Sequence, residues 1–164
     1  RQAFGRVAIV GRTLRRNVGR QRRRAEIGDG LVQRGPVERE RQRDLALLAL
    51  RFDLGIERWD AIVSIFLHLP SKARRDLHRR AIAALAPGGV FVYEAYGPEQ
   101  LRYRTGGPPE PQLLHSLDDV VSDFDGCEIE HAFEGVRAVN EGRLHRGDGF
   151  VVQVIARKRL GSEP

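Results

Sequence analysis

Apolar positions fall into clear rhythms from residue 59 onward and into none before it. Residues 59–66 (Trp-Asp-Ala-Ile-Val-Ser-Ile-Phe) are a short, nearly continuous apolar run, the signature of a strand covered on both faces. Pro70 and Ser71 then open a helix, with Ser71 as the expected N-cap. Ala73, Leu77, Ala81, Ala84 and Leu85 recur at helical spacing and give one apolar face, with Lys72, Arg75, Arg79 and Arg80 mostly outside it. Pro87-Gly88-Gly89 reads as the helix stop, and Val90 to Tyr96 as a second strand. Two strands of buried type joined by a helix make a βαβ unit and hence a parallel pair.

Downstream the period changes. A loop from Gly97 to Pro111 carries Gly106-Gly107-Pro108-Pro109, and Leu117 to Phe124 reads as a short helix capped by Ser116. Cys127, Ile129, His131 and Phe133 alternate with Glu128, Glu130 and Glu134, which predicts a half-exposed strand. Asn140 to Gly149 is rich in turn formers, and Phe150 to Ala156 is a final strand. Strands joined without a helix pair antiparallel. The expected class is α/β, parallel strands ending in an antiparallel hairpin.

The first third is different text. Phe4 to Val10 reads as a short strand and Asp44 to Leu50 as the start of an apolar run, but Arg residues break every stripe between them. Residues 1–50 hold 13 Arg against 5 acidic residues, whereas residues 51–164 hold 15 Lys+Arg against 17. The net charge of +6 therefore belongs to one segment. Lys occurs only at Lys72 and Lys158. Such Arg usage points to GC-rich coding DNA, whose out-of-frame translation is also rich in Arg and Gly. The first residue is Arg, as expected of a piece of a longer chain. Residues 1–50 are thus expected to be non-native or disordered, and residues 51–164 to be the folded part.

Composition excludes several classes. One cysteine, Cys127, rules out a disulfide framework and a Cys-rich zinc site. No apolar run is long enough to span a bilayer, and no apolar signal core follows the N-terminal charges, so a cytoplasmic location is expected.

The segments WDAIVSIFLHLP, ALAPGGVFVYEAY, GGPPEPQLL and FVVQVIARK, in this order and spacing, resemble the C-terminal half of class I S-adenosylmethionine-dependent methyltransferases. Within them the likeness is to the small bacterial group related to tellurite-resistance methyltransferases, and it covers residues 51–164. It implies strands four to seven of a seven-stranded, Rossmann-like sheet, the last inserted antiparallel. It also implies S-adenosyl-L-methionine as cofactor and a small-molecule methyl acceptor. That family's cofactor site begins with a strand, a Gly-rich turn and an acidic residue ending the next strand. Here Glu26-Ile27-Gly28-Asp29-Gly30 offers part of such a turn, but Arg22-Arg23-Arg24 precedes it and Leu31-Val32 follows. Val7 to Gly11 is the other candidate, and Gly11-Arg12-Thr13 lacks a second Gly. Three βα units need roughly 75 residues, at about 30 for one βαβ, and only 58 precede Trp59. The cofactor-binding half is expected to be absent, and the chain to be weak or inactive as it stands.

Ligands of open parallel sheets bind at the carboxyl ends of strands. The resemblance makes Ser64, Ile65 and Phe66 candidate cofactor-pocket residues, with core packing as the other reading of Phe66. His68, Glu94 and Tyr96 are candidate substrate residues. His68 is read as a general base or as a solvent-facing residue before the helix. Glu94 interrupts an apolar strand and needs a partner, either substrate or a neighbouring helix end. Tyr103 is a further lining candidate, and Gly106 to Pro109 is read as a lid or an ordinary surface loop. His78, His115, His131 and His145 show no metal-ligand spacing, and no metal is assigned.

Two rival functions follow from the same residues. An Arg-rich arm could bind nucleic acid through phosphates, but it carries only Phe4 for stacking, and this partner is not expected. A half-domain could instead associate through an open sheet edge at the Trp59 strand.

Overall fold

The computed structural model describes residues 7–11, 52–103, 105–140 and 146–160. Strand β2 (Trp59–Ile65) and strand β3 (Leu85–Tyr96) lie side by side and parallel, and helix α1 (Ser71–Ala84) crosses between them. The βαβ expectation holds. Pro70, with φ of −56°, sits at the helix N-cap, and its carbonyl accepts from the Arg74 N–H at 2.9 Å. Ser71 is therefore the first helical residue and not the cap, because the rigid ring already sets the entry angle. The helix stops at Ala84, before Pro87-Gly88-Gly89, since Leu85 is already extended, fully buried and paired with Trp59. The Pro-Gly-Gly segment then loops within β3, and pairing resumes at Ala61 and Val90. A Cβ on Gly89 would stand 2.9 Å from the Ala86 oxygen and 3.1 Å from the Trp59 oxygen, so only glycine lets the strands pass there.

The described sheet has five strands in the order β1-β2-β3-β5-β4. Strand β5 (Arg146–Lys158) inserts antiparallel between β3 and strand β4 (Cys127–Asn140). The antiparallel ending is as expected, but both strands run longer: Asn140 and residues 146–149, expected to be turn, are strand, and residues 141–145 lie outside the described residues. The far half of this hairpin has tertiary support. Val139 and Val151 pack with Tyr96, Leu114 and Phe66 in a second small cluster, and such packing overrides local turn propensity.

Strand β1 (Val7–Gly11) lies parallel to β2, with Val7 opposite Ala61 and Gly11 opposite Ile65. The Trp59 strand is therefore not an open edge of the described sheet, which corrects that expectation, and the short strand expected over Phe4 to Val10 is present as Val7–Gly11. Residues 12–51 lie outside the described residues.

One face of the sheet carries the main core. Ile62, Leu77, Ala81, Ala84, Phe91, Tyr93, Val120, Phe124 and Val154 are all buried there, where α1 and a short helix α2 (Leu117–Val121) cover the strands. Helix α2 has the expected Ser116 cap: Ser116 Oγ accepts from the Asp119 N–H at 3.2 Å, and the Asp119 carboxylate accepts in return. The stripe of α1 that faces inward includes two residues that the apolar spacing left unassigned, Arg74 and His78. Both reach Asp123, just past α2. Arg74 Nε donates to Asp123 Oδ2 at 2.6 Å and Nη2 to Oδ1 at 3.1 Å, while His78 Nδ1 lies 2.8 Å from Oδ2. All three side chains are essentially without water contact. Burial pushes His78 below its ordinary pKa despite Asp123. Burial opposes ionisation of Asp123, but the hydrogen bonds from His78 and Arg74 outweigh it and hold that carboxyl below its ordinary value.

The pH consequence follows from both shifts being downward, from 3.8 for the carboxyl and 6.5 for the imidazole. Each contribution is complete above its unfolded value and is lost as pH falls through the folded one. Asp123→Asn should lower stability at pH 7 by about 3–5 kcal/mol, because Arg74 is left buried without a counter-charge. Urea unfolding followed by Trp59 fluorescence measures this. The unaltered protein should also weaken progressively as pH drops from 7 toward 3, and Asp123→Asn should flatten the lower part of that decline. An unchanged midpoint in the variant contradicts the assignment.

Candidate functional site

Adjacent strand residues face opposite ways, and this separates the candidate residues. Ser64 is 1% exposed and lies with Ile62 on the helix-covered face, level with Tyr93. Ile65, level with Glu94, lies on the other face. Phe66 leaves the strand with φ of +49°, and its N–H donates to the Glu94 oxygen at 2.7 Å. Its ring meets Tyr96 at 4.7 Å between centroids, and the His68 ring stacks on Tyr96 at 5.8 Å, nearly parallel. His68 is buried, so its solvent-facing reading is wrong. Tyr96 is buried too, and Tyr103 half-buried. Three of the six candidates thus form one aromatic cluster at the carboxyl ends of β2 and β3, two share the open face, and Ser64 stands apart in the core.

Glu94 is the chemically richest of them. Its Oε1 accepts from Arg137 Nε at 3.1 Å and from Arg137 Nη2, and its Oε2 accepts from Gln153 Nε2 at 2.6 Å. The partners come from β4 and β5, not from a helix end, so the carboxylate staples the hairpin to β3. A groove of about 240 Å³ opens beside it, lined by Ile65, Val92, Glu94, His131, Gln153 and Ile155. Arg137 and Gln153 escaped the sequence reading. The one available signal was a lone amide inside the apolar run Phe150 to Ala156.

The glycine-rich loop is tied down. Thr105 Oγ1 donates to the Asp148 oxygen at 2.7 Å, and Gln100 bonds both the loop and β5. The remaining histidines are scattered: His78 is in the Asp123 clamp, and His115 Nε2 lies 2.8 Å from the Leu69 oxygen. His145 lies outside the described residues. Among the described residues no group of three or more His, Cys, Asp or Glu side chains stands close enough to hold a metal.

The described residues do not fit S-adenosylmethionine well. Ser64, the hydroxyl proposed for its pocket, faces the helices. Glu94, the carboxylate nearest the strand ends, has both oxygens engaged by Arg137 and Gln153. The candidate turn from Glu26 to Gly30 lies outside the described residues.

No protein-family model and no curated protein matches the chain. Solved structures do. A SAM-dependent methyltransferase from Methanosarcina mazei superposes with a TM-score of 0.51 at 15% identity, over 68% of this chain and 65% of that one. The chain has the fold of the SAM-dependent methyltransferases. A structure from work on the conversion of a disulfide bond into a thioacetal group during echinomycin biosynthesis gives a TM-score of 0.52 at 20% identity, covering 70% of this chain and 55% of that one. TehB from Haemophilus influenzae gives 0.48 at 16% identity, covering 66% and 40%. The chain therefore spans 65% and 55% of the length of the first two of these structures. No described helix is long and apolar enough to cross a membrane.

Replacing Glu94 by Ala should cost the methyltransferase-fold sheet about 1.5–3 kcal/mol, the range for hydrogen bonds to a charged group. The loss should appear in thermal unfolding together with faster tryptic cleavage after Arg137. Unchanged cleavage at Arg137 would show that the carboxylate does not anchor the hairpin.

Proposed function

We propose that the chain is a S-adenosylmethionine-dependent methyltransferase by descent, of the kind that methylates a small-molecule acceptor, and that it holds its cofactor weakly as it stands. The observation that carries the descent is the likeness of fold to the Methanosarcina mazei enzyme. The order of the strands supports it, with β5 inserted antiparallel beside the parallel βαβ unit. A thiol, an amine and a small metalloid anion are all acceptors compatible with the aromatic cluster of Phe66, His68 and Tyr96.

A cofactor of this type needs close backbone approach and a carboxylate for its ribose hydroxyls, and the described residues offer neither. Without both, binding loses about 4 kcal/mol, or roughly a thousandfold in affinity. Isothermal titration with S-adenosylhomocysteine is the test. The expected result is no binding in the micromolar range and no methyl transfer to small thiols or amines. Micromolar binding would sink the claim of weakness and place a working cofactor loop in residues 1–50.

A second reading, self-association of a half-domain, has one specific observation in its favour. Ala61, Val63, Ile65, Val92 and Ile155 share the sheet face away from the helices and are only half-buried, with no described element packed over them. Parallel sheets are ordinarily covered on both faces. The open surface is this face and not the Trp59 edge. Light scattering across a concentration series should show a dimer forming through a second copy, and a strict monomer at every concentration removes this reading.

A further inference from the structure

The buried glutamine that ties the glycine-rich loop to β5 has a consequence for the cluster beside it. Gln100 is 2% exposed, on the one-turn segment Pro98–Arg102. Its Oε1 accepts from the Phe150 N–H of β5 at 2.7 Å. Its Nε2 donates to Thr105 Oγ1 at 3.1 Å and to the Gly106 oxygen at 3.0 Å. One amide therefore satisfies a strand on one side and the glycine-rich loop on the other. Both of its N–H groups and its oxygen are engaged. Thr105 closes the ring by donating to the Asp148 oxygen at 2.7 Å, also on β5.

The next residue shows what this clamp holds in place. Gly107 has φ of +91°, and a Cβ there would stand 3.0 Å from the Tyr96 ring and 3.2 Å from Gln100 Cγ. The backbone of the loop is thus pressed onto the ring that also carries Phe66 and His68. Pro108 behind it is buried.

We propose that Gln100 is a positioning residue that makes residues 105–108 a permanent wall against Tyr96, not a lid that closes over substrate. Naming that wall the acceptor side of the site rests on the methyltransferase reading. The wall itself does not. A lid is drawn from parts of a fold that open cheaply. Opening here would break both bonds that the Gln100 amide nitrogen donates and strand a buried donor, a cost that opposes opening. An acceptor that reaches the half-buried Phe66 at this cluster then meets a boundary that is already fixed. Position 107 is glycine because a backbone this close to the Tyr96 ring, at φ of +91°, leaves no room for a side chain.

The test uses ligand-free protein, so that loss of cofactor binding, which bears on the function, leaves it intact. In the unaltered chain the Gly107 Hα signals should be shifted upfield by the Tyr96 ring, and the Phe150 amide should exchange slowly. Gln100→Met should abolish the Gly107 shift and speed Phe150 exchange about tenfold, with the Val154 and Ala156 amides unchanged. Thr105→Val should weaken the Gly107 shift while leaving Phe150 protected, a split that general loss of stability would not produce. Adding S-adenosylhomocysteine and 2-mercaptoethanol should leave the Gly107 signals where they were. Fast Phe150 exchange in the unaltered chain, a Gly107 shift that survives in Gln100→Met, or a shift that appears only with those ligands would overturn the proposal.

Discussion

A carboxylate with no access to water holds the helical layer to the sheet. Asp123 receives Arg74 and His78 from α1, and the His78 ring is in turn set among Phe91, Tyr93 and Phe124 at 5.1 to 5.4 Å. The apolar stripe of α1 is slight, with Leu77 as its one large fully buried member beside Ala81 and Ala84, and Ile82 half-buried against the core. Small residues bring a helix close but leave its rotation loosely specified. The buried ion cluster supplies the missing specification, since its hydrogen bonds tolerate little rotation of α1 about its own axis. A buried charge pair is not by itself a large source of stability, because desolvation offsets most of the attraction. Its contribution here is to make one arrangement of α1, α2 and β3 much better than its neighbours.

That cluster also marks where sequence reasoning ran out. The parallel pair, the antiparallel hairpin and the Ser116 cap were legible because each depends on neighbours within a few residues. Arg74 and His78 were given no place in the core, since the partner that lets them enter it lies 49 and 45 residues away. The same holds for the end of α1. Pro-Gly-Gly is a strong local stop, yet the Trp59–Leu85 pairing ended the helix sooner. The extra length of β4 and β5 was invisible for the same reason, being supported by Tyr96 and Leu114 from other parts of the chain.

The candidate site was legible in part, and the failure has a simple geometric cause. Ser64 and Ile65 are consecutive in a strand, so they cannot both line one cavity. Assigning a whole strand end to a pocket ignores that alternation. Phe66, His68 and Tyr96 came together because the chain leaves β2 at Phe66 with a left-handed backbone, which folds the next residues back over the end of β3. Glu94 was correctly read as a carboxylate in need of partners. Its partners were invisible because Arg137 and Gln153 arrive through strand pairing.

The open face of the sheet is therefore less polar in its demands than its composition implies. Glu94 would ordinarily resist being covered, but Arg137 and Gln153 already occupy both oxygens from within the sheet. What is left unsatisfied around it is apolar: Val63 and Ile65 on β2, Val92 on β3 and Ile155 on β5, all half-buried. Their energetic need is removal from water, which is not directional. The clamp of Glu94 instead fixes the spacing of β3, β5 and β4, so the surface offered to any cover is rigid before the cover arrives. Whatever packs there gains affinity from a preformed surface and needs no charge of its own. The asymmetry of the described sheet then has a physical reading: one face is specified internally by the Asp123 cluster, and the other is held in shape by Glu94 while the described elements leave it half-buried.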